Sequence, residues 1–145
     1  MAGDMNGTTA PAEGMARKLA RAVLALAYFA VGVVHLNSPE GFLPIMPEWV
    51  PFPREVVLAT GAAELAGAIG LMIPRLRRAA AWGLAAYAVC VFPANIKHAL
   101  EGIELSGNVL GWGYHGPRLA AQPVIVWLAL WAGGITDWPF ARRKG

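Results

Sequence analysis

Five polar side chains stand in or at the edge of apolar stretches and could do chemistry: His35, Glu64, Asn95, Arg118 and Gln122. Glu64 is the most telling. Nineteen positions separate Arg54 from Pro74, and after Glu55 at the very start Glu64 is the only ionisable residue among them. A helix rises about 1.5 Å per residue, so this stretch covers about 30 Å, the apolar thickness of a bilayer. A carboxylate at mid-membrane costs roughly 2.5–3.5 kcal/mol on insertion scales, so it needs a partner, a proton or a task. Its chemistry would be to hold or relay a proton. His35, Asn95, Arg118 and Gln122 could donate hydrogen bonds to a ligand's oxygens. Each also has a purely structural reading. Glu64 could tie helices together, His35 could cap a helix end, Arg118 could snorkel to the interface, and Asn95 could satisfy a carbonyl freed by Pro93.

Four apolar segments would have to position these groups. Arg17, Lys18 and Arg21 precede an apolar run from Ala22 to Leu36, which reads as an uncleaved first helix. The second runs to about Ile73. The tight basic turn Pro74-Arg75-Leu76-Arg77-Arg78 makes the second and third helices antiparallel neighbours. The third spans Ala79 to about Leu100, with Pro93 expected to kink it. The fourth spans about Arg118 to Ile135. Tyr28, Gly32 and His35 share one face of the first helix, and Thr60, Glu64 and Gly67 one face of the second. Small residues around Glu64 place it on a packed face rather than toward lipid. The expected arrangement is a common inward-facing cluster, with Glu64 as its floor and the other four polar residues nearer its mouth.

Two loops separate these segments. Residues 37–53 contain five prolines, so no long helix survives there. Ser38-Pro39-Glu40 fits the start of one short turn, with Ser38 as N-cap and Pro39 at the first helical position. Phe42, Met46, Trp49 and Phe52 suit an interfacial loop over the mouth of the helices. The second loop, residues 101–117, is glycine-rich and carries Trp112, Tyr114 and His115.

Composition agrees with a membrane class. The chain of 145 residues is 57% hydrophobic and only 14% charged, against about 25% charged in an ordinary soluble domain. The formal charge of +3 is small and segregated, which argues against nucleic acid. Nine of the twelve basic residues (Arg17, Lys18, Arg21, Arg75, Arg77, Arg78, Arg142, Arg143 and Lys144) fall on one side of the predicted topology. Arg54, Lys97 and Arg118 fall on the other. By the positive-inside rule both termini are cytoplasmic and both long loops face outward. Residues 1–15 read as a disordered cytoplasmic tail, 16–139 as the membrane domain and 140–145 as a basic cytoplasmic tail. The single Cys90 excludes an intramolecular disulfide. No HxxxH, HExxH or GxSxG pattern occurs, so no metal is assigned. His35 and His98 fall at similar depth on different predicted helices, as a bis-histidine haem requires, but two unpaired histidines are a weak signal for one.

Several short motifs occur in order: Gly32-Val33-Val34-His35; then Pro39, Phe42, Pro47 and Trp49; then Thr60-Gly61-Ala62-Ala63-Glu64-Leu65-Ala66-Gly67. Gly70-Leu71, Pro74-Arg75, Phe92-Pro93-Ala94-Asn95-Ile96 and Arg118-Leu119-Ala120-Ala121-Gln122 follow. Over about residues 22–134 this resembles the DoxX-like family of small membrane proteins. The resemblance implies an all-α, antiparallel four-helix integral membrane bundle in the bacterial inner membrane. The family's name derives from a membrane thiosulfate:quinone oxidoreductase. Other members are linked to oxidant-resistance complexes, and distant relatives act as cargo receptors or assembly chaperones. A branch associated with disulfide chemistry is disfavoured here by the single cysteine. The resemblance transfers no catalytic residue set.

The functional expectation is a redox-associated membrane subunit. It would bind a quinone or another small apolar molecule in an outward-facing pocket formed by His35, Glu64, Asn95, Arg118 and Gln122. Its partners would be the bilayer and a membrane or peripheral redox protein. A non-enzymatic scaffold is the alternative, with Phe42, Trp49, Trp112 and Tyr114 as contact surface. Transport of a small solute is weaker, because no inverted repeat with broken helices is evident.

Overall fold

The computed structural model describes residues 13–105 and 108–140. The predicted tails lie largely outside the described residues, including Arg142, Arg143 and Lys144. The chain is all-α apart from one tiny hairpin. Its helices are α1 (Met15–Asn37), α2 (Pro53–Met72), α3 (Arg77–Cys90), α4 (Phe92–Glu101) and α5 (Trp112–Ala132). A 3₁₀ turn, Pro39–Ile45, follows α1. Strands β1 (Glu104–Leu105) and β2 (Asn108–Val109) pair antiparallel between α4 and α5.

Three segments are long and apolar enough to cross a membrane: Met15–Asn37, Pro53–Met72 and the combined Arg77–Glu101. Their outer faces carry exposed Leu19, Val23, Leu26, Phe29, Ile69, Trp82 and Val89. A protein in water rarely exposes so much large apolar surface, so these faces suit acyl chains. α5 is not among the three, because its first half carries His115, Arg118 and Gln122.

Several boundaries differ from the sequence expectation. α1 begins seven residues before Ala22, because Arg17, Lys18 and Arg21 continue its helical backbone. Ser38 does precede the 3₁₀ turn and Pro39 does open it, but the Ser38 side chain makes no capping bond. The expected kink in the third helix is a break at Val91, with Pro93 in the first turn of α4, where its missing N–H is tolerated. The last helix begins at Trp112, six residues before Arg118. Tyr114 and His115 donate their backbone N–H groups to Gly111 O and close its first turn. Pro117, expected to end the preceding loop, lies inside this helix, as Pro123 does.

Packing is uneven along the helix axes. The core consists of Leu24, Ala25, Ala68, Leu71, Ala81, Leu84, Ala85, Ala129 and Ala132. These come from the middle of α1, the end of α2, the middle of α3 and the end of α5. Arg17, Arg21, Arg77 and Arg78 cluster at that same end. Arg21 is buried and donates to Ala132 O at 2.9 Å and to Glu13, while Arg78 donates to Gly134 O at 3.0 Å. Arg17 pairs with Asp137, and Arg77 lies 3.9 Å from Glu13. The opposite end is hollow.

Candidate functional site

The hollow end is a cavity of about 680 Å³, and all five residues singled out from the sequence line it. Its walls are mostly aliphatic, including Leu24, Val31, Ile45, Val57, Val91 and Ile125. The 3₁₀ turn and the following loop contribute Phe42, Met46, Pro47 and Trp49. The predicted interfacial loop therefore does border the cavity. Lys97 donates to Met46 O at 2.9 Å, and Arg54 meets Glu40 at 3.1 Å, so this segment is tied down at two points.

α1 and α2 come very close at one crossing. A Cβ on Gly32 would stand 2.9 Å from Gly61 O. A Cβ on Gly61 would stand 2.9 Å from the His35 Cβ and 3.0 Å from Gly32 O. Only glycine fits both positions, because the obstacles include rigid backbone. One helical turn along each helix from this crossing lie His35 and Glu64. His35 Nδ1 is 2.7 Å from Glu64 Oε2 and 3.1 Å from Val31 O. Tyr87 from α3 donates its hydroxyl to Glu64 Oε1 at 2.7 Å. Glu64 is only 2% exposed, so both carboxyl oxygens are satisfied by side chains rather than by water. Phe42 stacks on His35 with ring centroids 4.0 Å apart.

A second polar group forms where α4 meets α5. Arg118 donates to Asn95 Oδ1 and to His98 Nδ1, the latter at 3.0 Å. Asn95 Nδ2 donates to Gln122 Oε1 at 3.4 Å, and Gln122 Nε2 donates to Ala88 O at 2.7 Å. Ala88 O, beside the α3–α4 break, is thus satisfied by Gln122, and the Asn95 amide donates to Gln122 rather than to a backbone carbonyl. His98 is fully buried and packs edge-on against His115, with centroids 4.6 Å apart. Among the described residues, no acidic side chain lies within ion-pair distance of Arg118.

The single cluster expected from the sequence is therefore two groups on one cavity. Among the described residues, no hydrogen bond joins His35–Glu64–Tyr87 to Arg118–Asn95–Gln122–His98. The expected depth order is also flatter. Gln122 bonds the residue next to Tyr87, which places it level with Glu64 rather than at the mouth. Tyr87 was missed because a tyrosine in an apolar helix carries no local sign of the residue it faces. The sequence offers His98 as a candidate haem partner of His35, whereas the structure pairs His35 with Glu64 and His98 with Arg118, a bond that depends on how α4 and α5 pack.

Chemically, one end of the cavity offers a carboxylate-oriented imidazole and the other a guanidinium with neutral partners. No curated protein and no solved structure matches the chain. A family model matches residues 24–133, a span that contains every residue lining the cavity. The chain thus belongs to the family described as a domain of unknown function, DUF8561.

Proposed function

We propose that this chain is an integral membrane protein of the bacterial plasma membrane that binds a quinone, or a similar small apolar ring, as a redox-associated subunit. In this reading α1, α2, the pair α3–α4 and α5 form a four-helix membrane bundle related to the DoxX-like family. The arginine-rich end and both termini face the cytoplasm, and the cavity opens outward under the 3₁₀ turn.

One observation carries the functional reading: a largely aliphatic cavity of about 680 Å³ with polar groups at two separate places on its wall. Ligand pockets usually have this make-up, with apolar walls and a few placed polar groups. A ring with two oxygens needs hydrogen bonds at two points and apolar walls between. His35 and Arg118 supply the two points. Glu64 orients His35, and Asn95 and His98 orient Arg118. The residues present fit such a group. When bound, it would supply electron transfer, while the chain's own residues hold it, exclude water and manage a proton at His35.

Purification in mild detergent followed by native mass spectrometry and lipid extraction tests this reading. A co-purifying quinone at near-stoichiometric amounts is expected. Repeated recovery without one, together with no quinone binding in reconstituted membranes, would overturn it.

A further inference from the structure

Resting on that reading of the cavity, we infer a narrower ligand class: a quinone that carries an ionised hydroxyl beside one carbonyl, as a 2-hydroxy-1,4-naphthoquinone with an apolar tail does. The ionised oxygen meets Arg118, and the carbonyl across the ring is left for His35.

The surroundings of Arg118 carry the inference. Its guanidinium is a permanent cation, half-buried on the wall of a largely aliphatic cavity. Among the described residues its partners are all neutral. Asn95 Oδ1 accepts from one nitrogen. His98 Nδ1 lies 3.0 Å from another and must also accept, because a guanidinium only donates. His98 is therefore a neutral imidazole with its proton on Nε2. The Tyr114 ring, 5.8 Å from the guanidinium carbon, offers a quadrupole and no net charge.

Acids on the neighbouring elements are engaged elsewhere. Glu64, the single acid lining the cavity, has its two oxygens bonded to His35 and Tyr87. That holds whichever of His35 and Glu64 carries the proton between them. Glu40 pairs with Arg54, and Glu101 lies 3.9 Å from Lys97. A cation among neutral partners in an apolar chamber calls for a counter-charge. Two of its five N–H groups serve His98 and Asn95, so three stay available to a ligand. A plain quinone meets them with a carbonyl dipole. An ionised hydroxyl next to a carbonyl presents two neighbouring acceptors and a negative charge, and hydrogen bonds between ionised groups are the stronger kind. The aliphatic walls take the ring and tail in either case. The acidic quinone thus occupies the same place as the plain one and is held more tightly.

The test uses full-length protein in nanodiscs of zwitterionic phosphatidylcholine at neutral pH. Tryptophan fluorescence titrations are corrected for partition of each probe into protein-free nanodiscs. The probes are 3-decyl-2-hydroxy-1,4-naphthoquinone and its methyl ether, which keeps the oxygen but not the charge. The acid is expected to bind roughly tenfold more tightly than the ether, or better. Oleate, an anion without a ring, is expected to displace it only weakly. Two variants remove the charge imbalance from opposite sides. Arg118→Gln keeps an amide donor without the cation, and Asn95→Asp gives Arg118 a built-in carboxylate at unchanged size. In both, the two rings are expected to bind within about twofold of each other. Equal binding of acid and ether by the wild type would overturn the inference while leaving the quinone reading intact. So would a preference for the acid that persists in either variant, or tighter binding of oleate than of the acid. Binding of neither ring would overturn the reading under Proposed function, and this inference with it.

Discussion

At Glu64 the burial of a carboxyl group is met by two donors from two different helices, His35 on α1 and Tyr87 on α3. Removing one leaves a buried oxygen short of a partner, which costs about 1–3 kcal/mol. Tyr87→Phe should therefore lower the thermal midpoint in detergent, measured by circular dichroism. The same substitution at Tyr114, an exposed ring, should leave the midpoint nearly unchanged. A second residue-scale prediction concerns Glu13. The hydrogen bond from Arg21 holds its carboxyl below the usual carboxylate range, against a smaller opposing effect of burial. Its folded-state pKa lies below the unfolded value of about 4.3, so the stabilisation is complete above that value and disappears as the pH falls through the depressed one. Glu13→Gln should cost about 1 kcal/mol at pH 7, discounted for the partial exposure of the pair. As the pH falls below the unfolded value the difference should shrink, and it should vanish once the pH is below the depressed folded-state pKa. A difference that persists in acid would show that the pair acts by packing rather than by charge.

At the scale of elements, the α1–α2 crossing decides whether the site exists. Gly32 and Gly61 bring the two backbones together, and His35 and Glu64 meet one turn away. Gly61→Leu would push against Gly32 O and the His35 Cβ, an overpacking of about 1–3 kcal/mol or more. Loss of the cooperative melt and of ligand binding is expected together. Gly83→Ala is the matching control. Nothing lies within 4 Å of the Cβ it would add, so its helix should gain up to about 1 kcal/mol of propensity. If both variants melted alike, close approach would not be what positions the site. The α3–α4 break has a comparable role. By ending α3 at Cys90 it exposes the Ala88 carbonyl to Gln122, and the Gln122–Asn95–Arg118 chain is built from that bond.

For the whole molecule, the division of labour runs along the long axis. One end is filled by alanine and leucine and pinned by Arg17, Arg21, Arg77 and Arg78, while the other encloses the cavity. A rigid half of this kind can hold the hollow half open without a ligand. The exposed apolar faces of α1, α2 and α3 predict that the protein stays in the pellet after alkaline extraction of membranes. Release into the supernatant would contradict membrane insertion. Reporter fusions at both termini should report a cytoplasmic location. A periplasmic signal from either end would reverse the proposed orientation.

What the sequence determined by itself was the inventory: an all-α chain, the apolar segments, the basic ends and the five polar residues on the cavity. These are local properties, because hydropathy, proline and charge act within a few residues of themselves. The first two helices were legible because long apolar runs bounded by charge and proline have few alternatives. The start of α5 was not legible, because Gly111, Gly113, Gly116 and Pro117 read as a loop until tertiary contacts hold that turn helical. Only the tertiary structure decided that His35 bonds Glu64, that Tyr87 supplies the second donor, and that Arg118 belongs to a separate group with Asn95 and His98. Such pairings depend on the rotation and offset of one helix against another. Those are set by where glycine lets backbones touch and where a helix breaks, and neither Gly32 nor Val91 reveals its opposite number in the order of the chain.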